Sequence, residues 1–392
     1  CRKKHNPAMA RHDPITICFP FTGDTVGGSH ISVLGLIKTM NREIYHPLIT
    51  VQKPGGTIAT LFEDNGLSVE SPFAWKGLEF DSRIGLGQLA GTVRDLGPKV
   101  RYLRHKQVDI VHSNDGRTHA TWGLAARLAG CKLLWHHRGD PEAKGLRLAA
   151  PLLANKVLSV SSFSKPRKGI YSAARKTQVV HSPFDTAITV DRTAMRQRLI
   201  DELAVPPETQ LIGYFGLFVD RKRPLMFLEA MADLAARSGD RPVRGLMFGK
   251  ANDEVMDRDI AERIDSLGLA DTVLQMGFRS PGSDWIAACD ALMVPAVQEP
   301  FGRTLVEAML VGTPIVAARS GGNVEALRDG EMGLLVEPDN AAALAEACLS
   351  LITDSNETAA RTAKAQADAQ TRFGLDRHME QVCAVYRELA AR

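Results

Sequence analysis

Short runs of consecutive apolar residues alternate along the chain with longer stretches in which apolar positions recur every three or four residues. The runs fall at 15–19, 46–51, 108–113, 132–137, 156–160 and 178–181, and the longer stretches include 30–40 and 117–129. Runs of this length, bounded by turn residues, read as strands buried on both faces, and the wider period reads as amphipathic helix. Strand and helix in alternation predict a doubly wound parallel sheet over 15–184, after a tail at 1–14. The pattern then starts again, with strands at 211–216, 243–248 and 273–276 and helices at 224–236 and 253–267. A second α/β domain is therefore expected over 185–372, joined to the first through Ser182-Pro-Phe-Asp185, with a last helix inside 373–392.

The second half holds the most informative stretch, Glu299-Pro-Phe-Gly-Arg-Thr-Leu-Val-Glu307. The apolar run 291–295 reads as a buried strand, Gly302 as a turn, 303–311 as a helix and 312–317 as the next strand. Ligands of such parallel units bind at the carboxyl ends of the strands, which puts Glu299 at a strand tip. Thr304 falls near a helix start whose free N–H groups favour an anion. A rise of about 1.5 Å per residue sets Glu307 roughly 5 Å beyond Thr304, about the reach from a diphosphate to the adjoining ribose.

Composition narrows the classes. A chain of 392 residues, 44% hydrophobic, can fill two sizeable cores. Without an apolar run of 18 residues or the apolar core of a signal peptide, it is expected to be cytoplasmic. The cysteines at 1, 18, 131, 289, 348 and 383 are scattered, which argues against a disulfide framework or a zinc site. Net charge is only +3, yet residues 1–190 carry 26 Lys and Arg against 14 Asp and Glu. Eight of those bases and no acid lie between Ala143 and Phe184, a surface that can hold an anionic partner: a phosphorylated acceptor, nucleic acid or, as a peripheral attachment, an anionic membrane. Nucleic acid is not expected, because no binding motif or aromatic interleaving accompanies the charge.

Two glutamates eight apart, with Phe-Gly between them and Gly312-Thr-Pro behind, resemble the retaining glycosyltransferases of the GT-B fold, family 4 type, whose hallmark is Glu, seven residues and Glu. The likeness extends through Ser320-Gly-Gly-Asn-Val-Glu325 and Gly333-Leu-Leu-Val-Glu-Pro338. It implies two Rossmann-like domains facing across a cleft, the first on the acceptor side and the second on the donor side, and a last helix that crosses back. It also implies a nucleoside-diphosphate sugar as donor, with no obligatory cofactor, and a glycan or lipid-linked acceptor, as in cell-envelope or polysaccharide assembly.

Carried onto matching positions, the resemblance gives Glu299 the hydroxyls of the transferred sugar, supported by the backbone of Phe301 and Gly302. Arg303, Thr304 and Leu305 would offer helix-start dipoles to the diphosphate, and Glu307 would accept from the ribose. Lys222 matches the family's phosphate-binding lysine, whereas Leu217 stands where an arginine is usual, leaving Arg221 or Arg223 to compensate. Gly28 and Ser29, in the glycine-rich loop after the first strand, would lie across the cleft from the donor. Phe278, in Gly277-Phe-Arg279, belongs to the loop that contacts the base. One of His136 and His137 would reach the sugar near the reacting carbon, since side chains alternate along a strand. His112 and Asp115, at another strand tip, are outer candidates for the acceptor.

Other signals carry less. Gly85-Leu-Gly-Gln-Leu-Ala-Gly91 mimics a dinucleotide fingerprint but follows no convincing strand. Asp257 and Asp259 would point about 200° apart on a helix, so no metal is expected between them. Two further readings stay open: a nucleotide-sugar epimerase of the same fold, and a non-catalytic nucleotide-sugar-binding protein.

Overall fold

A computed structural model describes residues 14–75 and 94–391; the glycine run at 85–91 lies outside them. The first sheet contains β1 (Ile15–Phe21), β2 (Tyr45–Val51), β3 (Val69–Glu70), β4 (Ile110–Ser113), β5 (Lys132–His137), β6 (Lys156–Ser159) and β7 (Thr177–Val179). Their order is β3-β2-β1-β4-β5-β6-β7, with every pair parallel. Helices α1 (Gly28–Thr39), α2 (Thr57–Glu63), α3 (Leu96–His105), α4 (Gly116–Ala129) and α5 (Ala150–Leu153) connect these strands. The second sheet runs β10-β9-β8-β11-β12-β13, also parallel. Its strands are β8 (Gln210–Phe215), β9 (Val243–Phe248), β10 (Val273–Gly277), β11 (Ala291–Val294), β12 (Ile315–Ala318) and β13 (Leu334–Val336). Around it lie α6 (Arg192–Leu203), α7 (Pro224–Arg237), α8 (Glu254–Ser266), α9 (Gly282–Ala288), α10 (Arg303–Val311), α11 (Gly322–Ala326), α12 (Ala341–Thr353) and α13 (Ser355–Arg372).

In each sheet the strand order reverses once, between β1 and β4 and between β8 and β11, and those crevices are where such sheets take ligands. The elements differ from the apolar pattern in a few places. Two-residue β3 is too short to leave a run, and α6 buries only Leu199 and Ile200, too few to show a period. Helix α1 begins at Gly28, so Gly28 and Ser29 form its first turn instead of the loop before it. His30 Nδ1 accepts from the Gly27 N–H at 3.1 Å and fixes that start.

The final helix, α14 (Leu375–Ala390), packs on the first sheet, burying Val382, Val385, Tyr386 and Leu389 with Ile17, Phe19, Ile110 and Leu134. The chain passes between the domains twice at one place, where the Phe184 N–H donates to the Phe373 carbonyl at 2.8 Å. The rings of Phe184, Phe301 and Phe373 fill that junction.

A chain of buried polar groups ties α14 to β4 and β5. An arginine can only donate, so His136 Nδ1 accepts from Arg138 Nη2 at 3.3 Å. His112 must then donate from Nε2 to the same His136 nitrogen, at 3.2 Å. Neutral His112 is left to accept at Nδ1 from the Tyr386 hydroxyl, 2.6 Å away. Burial, then the Arg138 charge, holds His112 and His136 well below the ordinary histidine value, and pushes His378 down to about 3. His119, stacked on Trp135, is lowered mainly by burial.

These histidines are neutral when folded and take up protons when the chain unfolds below about pH 6.5, so stability is fullest above that pH and declines beneath it. Urea titrations between pH 7.5 and 5 are expected to show that decline, at up to about 1.4 kcal/mol per histidine per pH unit; a flat profile contradicts the assignment. Removing one hydroxyl, Tyr386→Phe, leaves His112 Nδ1 without a donor and is expected to cost about 1–3 kcal/mol in the same assay at pH 7.5.

Candidate active site

Glu299 follows β11 and is 9% exposed. Its Oε2 receives Arg221 Nη1 at 2.6 Å and Lys222 Nζ at 2.9 Å, both from the short turn Asp220–Lys222 after β8. Burial alone would raise this carboxyl; the two cations outweigh it and hold the value below the usual carboxylate range. Arg223 turns away, to Asp220 and Asp339 at 2.9 Å each. Leu217, 47% exposed, makes no contribution to the Glu299 cluster.

The backbone of 298–301 is held by the turn that follows β12. Ser320 Oγ accepts from the Gln298 N–H at 2.9 Å, and the Gly322 N–H donates to the Glu299 carbonyl at 2.6 Å. A β-carbon on Gly321 would lie 2.6 Å from Glu299 N, and one on Gly322 2.7 Å from Phe301 Cα. The two glycines of Ser320-Gly-Gly322 are therefore required by close backbone approach. Asn323 completes the brace by donating to the carbonyls of Ala296 and Ala318.

Gly302 starts α10 at φ 82°, in the left-handed region, and Gly312 ends it at φ 72°. Leu305, Val306, Ala308 and Met309 face the core, which turns Arg303, Thr304 and Glu307 toward the domain boundary. Glu307, with 28% of its side chain exposed, is raised by burial against the opposing pull of Arg303 and Lys222. Its Oε1 stands 3.6 Å from Arg303 Nη2. Two carboxylates on one short unit thus have opposite bias: the cations beside Glu299 hold its carboxyl below the usual range, whereas burial holds that of Glu307 above it.

The first domain closes on this unit. Ser161 and Ser164 donate to the Pro300 carbonyl at 2.5 and 3.1 Å. Glu325 accepts from the Ser162 N–H at 2.5 Å and pairs with His181 Nε2 at 2.7 Å. A β-carbon on Gly28 would come within 3.1 Å of Arg303 Cδ, and Arg303 Cζ lies 4.3 Å over the Phe184 ring. Arg138, at the tip of β5, feels the Arg303 charge; burial first and that charge second push it down to about 9. Arg138 Nε, Arg303 Nη1 and His30 Nε2 are buried and have no acceptor among the described residues. His30 and Arg138 both sense the Asp115 carboxylate, which sets them in one neighbourhood.

The remaining candidates are distributed as follows. Arg221 and Lys222 meet Glu299, Lys222 also acts on Glu307, Glu307 neighbours Arg303, and Arg303 meets Gly28; Gly302 and Thr304 lie at the start of α10, and Ser29 follows Gly28 in α1. Leu305 is buried in the helix–sheet core, and the Phe301 ring stacks on His181 at 5.5 Å, inside the junction. Phe278 is 80% exposed in the turn after β10, beside Arg279, which is paired with Glu202. His136 is fully buried in the polar chain to Tyr386, and His137 Nε2 donates to the Asp140 carbonyl at 2.9 Å. Asp115 caps α4 through the Thr118 N–H. Arg138 and His30 escaped sequence reasoning, because nothing local sets them apart from a strand-end arginine and a helix histidine.

Residues 209–354 match the family described as glycosyl transferases group 1. Among curated relatives, a D-inositol 3-phosphate glycosyltransferase of Corynebacterium urealyticum is 31% identical over 191 residues, 48% of this chain and 45% of that protein. The lipopolysaccharide core biosynthesis mannosyltransferase LpsB of Rhizobium meliloti is 30% identical over 192 residues, 48% of this chain and 54% of that protein. The chain thus spans about half the length of the curated relatives it matches. Among solved structures, Anabaena HepE in complex with UDP and glucose superposes with a TM-score of 0.78 at 25% identity, covering 94% of this chain and 98% of HepE. A sucrose-phosphate synthase from Thermosynechococcus elongatus shares the fold at a TM-score of 0.72 and 18% identity, over 96% of this chain and 99% of the synthase. The chain has the GT-B fold, and within it residues 209–354 match the model of the glycosyl transferases group 1 family.

Proposed function

We propose that the protein is a retaining glycosyltransferase that moves a hexose or related sugar from a nucleoside diphosphate to a glycan or lipid-linked acceptor. Its setting would be cell-envelope or polysaccharide assembly at the cytoplasmic face of the membrane. The observation that carries this reading is the pair Glu299 and Glu307, set by one strand–turn–helix unit at the crevice where the second sheet reverses its order. HepE was crystallised in complex with UDP and glucose, which lends support to the donor class.

In this reading Lys222 and Arg221 exchange their hold on Glu299 for the donor diphosphate, freeing the carboxylate to accept from adjacent sugar hydroxyls. Arg138, Arg303 and His30 direct buried N–H groups at the oxygens whose charge grows as the anomeric bond breaks. Glu307 accepts from the ribose. The acceptor oxygen attacks the anomeric carbon on the face that the nucleotide leaves, and the departing phosphate oxygen takes the acceptor proton. No obligatory cofactor enters this scheme. Leu217 favours a second reading, a protein that binds nucleotide sugars without turning them over, because its exposed apolar side chain stands where the resembled family places an arginine.

Screening UDP-, GDP- and ADP-sugars by thermal shift identifies the donor, since a ligand at ~100 times its Kd adds about 2.7 kcal/mol. With that donor, proton NMR of the product is expected to show the anomeric configuration kept; inversion excludes the mechanism. Tight binding with neither transfer nor donor hydrolysis supports the second reading. Glu299→Gln is expected to lower kcat/KM about 10- to 100-fold, the loss of a charged hydrogen-bond partner. An unchanged rate removes Glu299 from its role.

Glu307 supplies a pH signature. Its carboxyl lies above the usual range, so donor binding should weaken as pH falls through that raised value while Glu299 remains ionised. In Glu307→Gln, calorimetric affinity for the nucleoside diphosphate is expected to be lower and flat with pH. The ligand-free Gln variant should melt slightly higher at neutral pH, because ionised Glu307 disfavours the folded state above its unfolded pKa. A variant that keeps the wild-type pH dependence shows that another group titrates.

A further inference from the structure

Four large apolar side chains stand out on the first domain. Leu148 is 63% exposed, Leu152 68%, Tyr171 53%, and Ile170 is fully exposed at a loop tip. One exposed leucine is ordinary, but several side by side mark an interaction surface. These belong to one patch, because the Tyr171 hydroxyl donates to the Leu148 carbonyl at 2.7 Å. Lys176 Nζ fastens the same loop to the carbonyls of Pro151 and Ala154, at 2.8 and 2.6 Å.

Cations surround the patch. Glu142 is shared by Arg147 and Arg167, at 3.2 and 2.8 Å, so one acid serves two bases. Lys144, Lys165, Lys168 and Arg175 are exposed and have no acidic partner among the described residues. Apolar tips inside a basic ring match a bilayer carrying anionic headgroups: the hydrocarbon enters the acyl boundary and the cations meet phosphate. An acidic protein would satisfy the cations, yet it would leave the loop-tip Ile170 without a hydrocarbon partner.

The patch is also joined through the chain to the candidate site. Its helical part follows the β5 tip that carries His137 and Arg138, and its loop follows Ser161 and Ser164, which hold the Pro300 carbonyl. We infer that the surface formed by Leu148, Leu152, Ile170 and Tyr171 with their basic rim docks on an anionic lipid bilayer, bringing the mouth of the interdomain cleft to the membrane. This rests on the membrane-facing part of the proposed function and assigns it to one surface. An acceptor anchored in lipid would then reach the cleft from the bilayer, without leaving it.

Flotation of the full chain with phosphatidylglycerol and phosphatidylcholine vesicles tests the inference. Wild type is expected to float with mixed phosphatidylglycerol vesicles at low salt and to be released as salt rises. Leu152→Ser with Ile170→Ser, and separately Lys165→Glu with Lys168→Glu, are each expected to reduce the bound fraction at least tenfold. Arg241→Glu with Arg258→Glu, an equal charge change on the second domain, should bind as wild type does. Donor hydrolysis in all variants serves as the check on folding. If wild type binds no vesicle, both the surface and the membrane-facing reading fall; if the patch variants float as well as wild type, only this surface is overturned. Equal binding to pure phosphatidylcholine overturns the role of the basic rim.

Discussion

A carboxylate placed almost out of water at a strand tip stays ionised only where cations stand against it, and much of the second domain serves that requirement at Glu299. The turn after β8 supplies Arg221 and Lys222, and the turn after β12 fixes the backbone on which the carboxylate is carried. Neither turn is near Glu299 in sequence; the parallel order β8-β11-β12 makes them neighbours. The same arrangement explains why the pair can change partners. Lys222 and Arg221 reach Glu299 by side chain alone, so an incoming diphosphate competes for flexible cations and leaves the braced backbone in place.

Like charge governs the boundary between the domains. Arg138 and Arg303 approach from opposite sides, each with a buried donor that has no acceptor among the described residues, and neither Asp115 nor Glu307 offsets the burial of the arginine it acts on. Hydrogen bonds from Ser161, Ser162 and Ser164, the His181–Glu325 pair and the aromatic junction hold the domains together against this repulsion. An anion between the arginines would convert the repulsion into a bridge, coupling what is bound to how firmly the halves close.

The two-sheet fold was legible because its signals are local: buried parallel strands leave apolar runs, and their connections leave a helical period. Glu299 to Glu307 was legible for the same reason, as strand, turn and helix lie within about twenty residues. Ser320-Gly-Gly322 could be matched as a motif, but its physical role emerges only when β12 lies beside β11 and leaves no room for a β-carbon. The histidine chain could not be read at all. It joins β4, β5 and α14, whose meeting depends on sheet order and on a helix more than 200 residues downstream. Arg138 was hidden likewise, since Asn114, Ser182, Arg303 and His378 reach it from separate parts of the chain.

Helix α14 has a temporal consequence for synthesis on the ribosome. The first domain emerges first, yet its hydrophobic interior lacks one wall until Val382, Val385, Tyr386 and Leu389 have been translated. During that interval an apolar strip of the nascent sheet, centred on Ile17, Phe19 and Ile110, is covered only in part and is open to chaperones. The second domain, encoded between the two parts of the first, can mature before the one that precedes it.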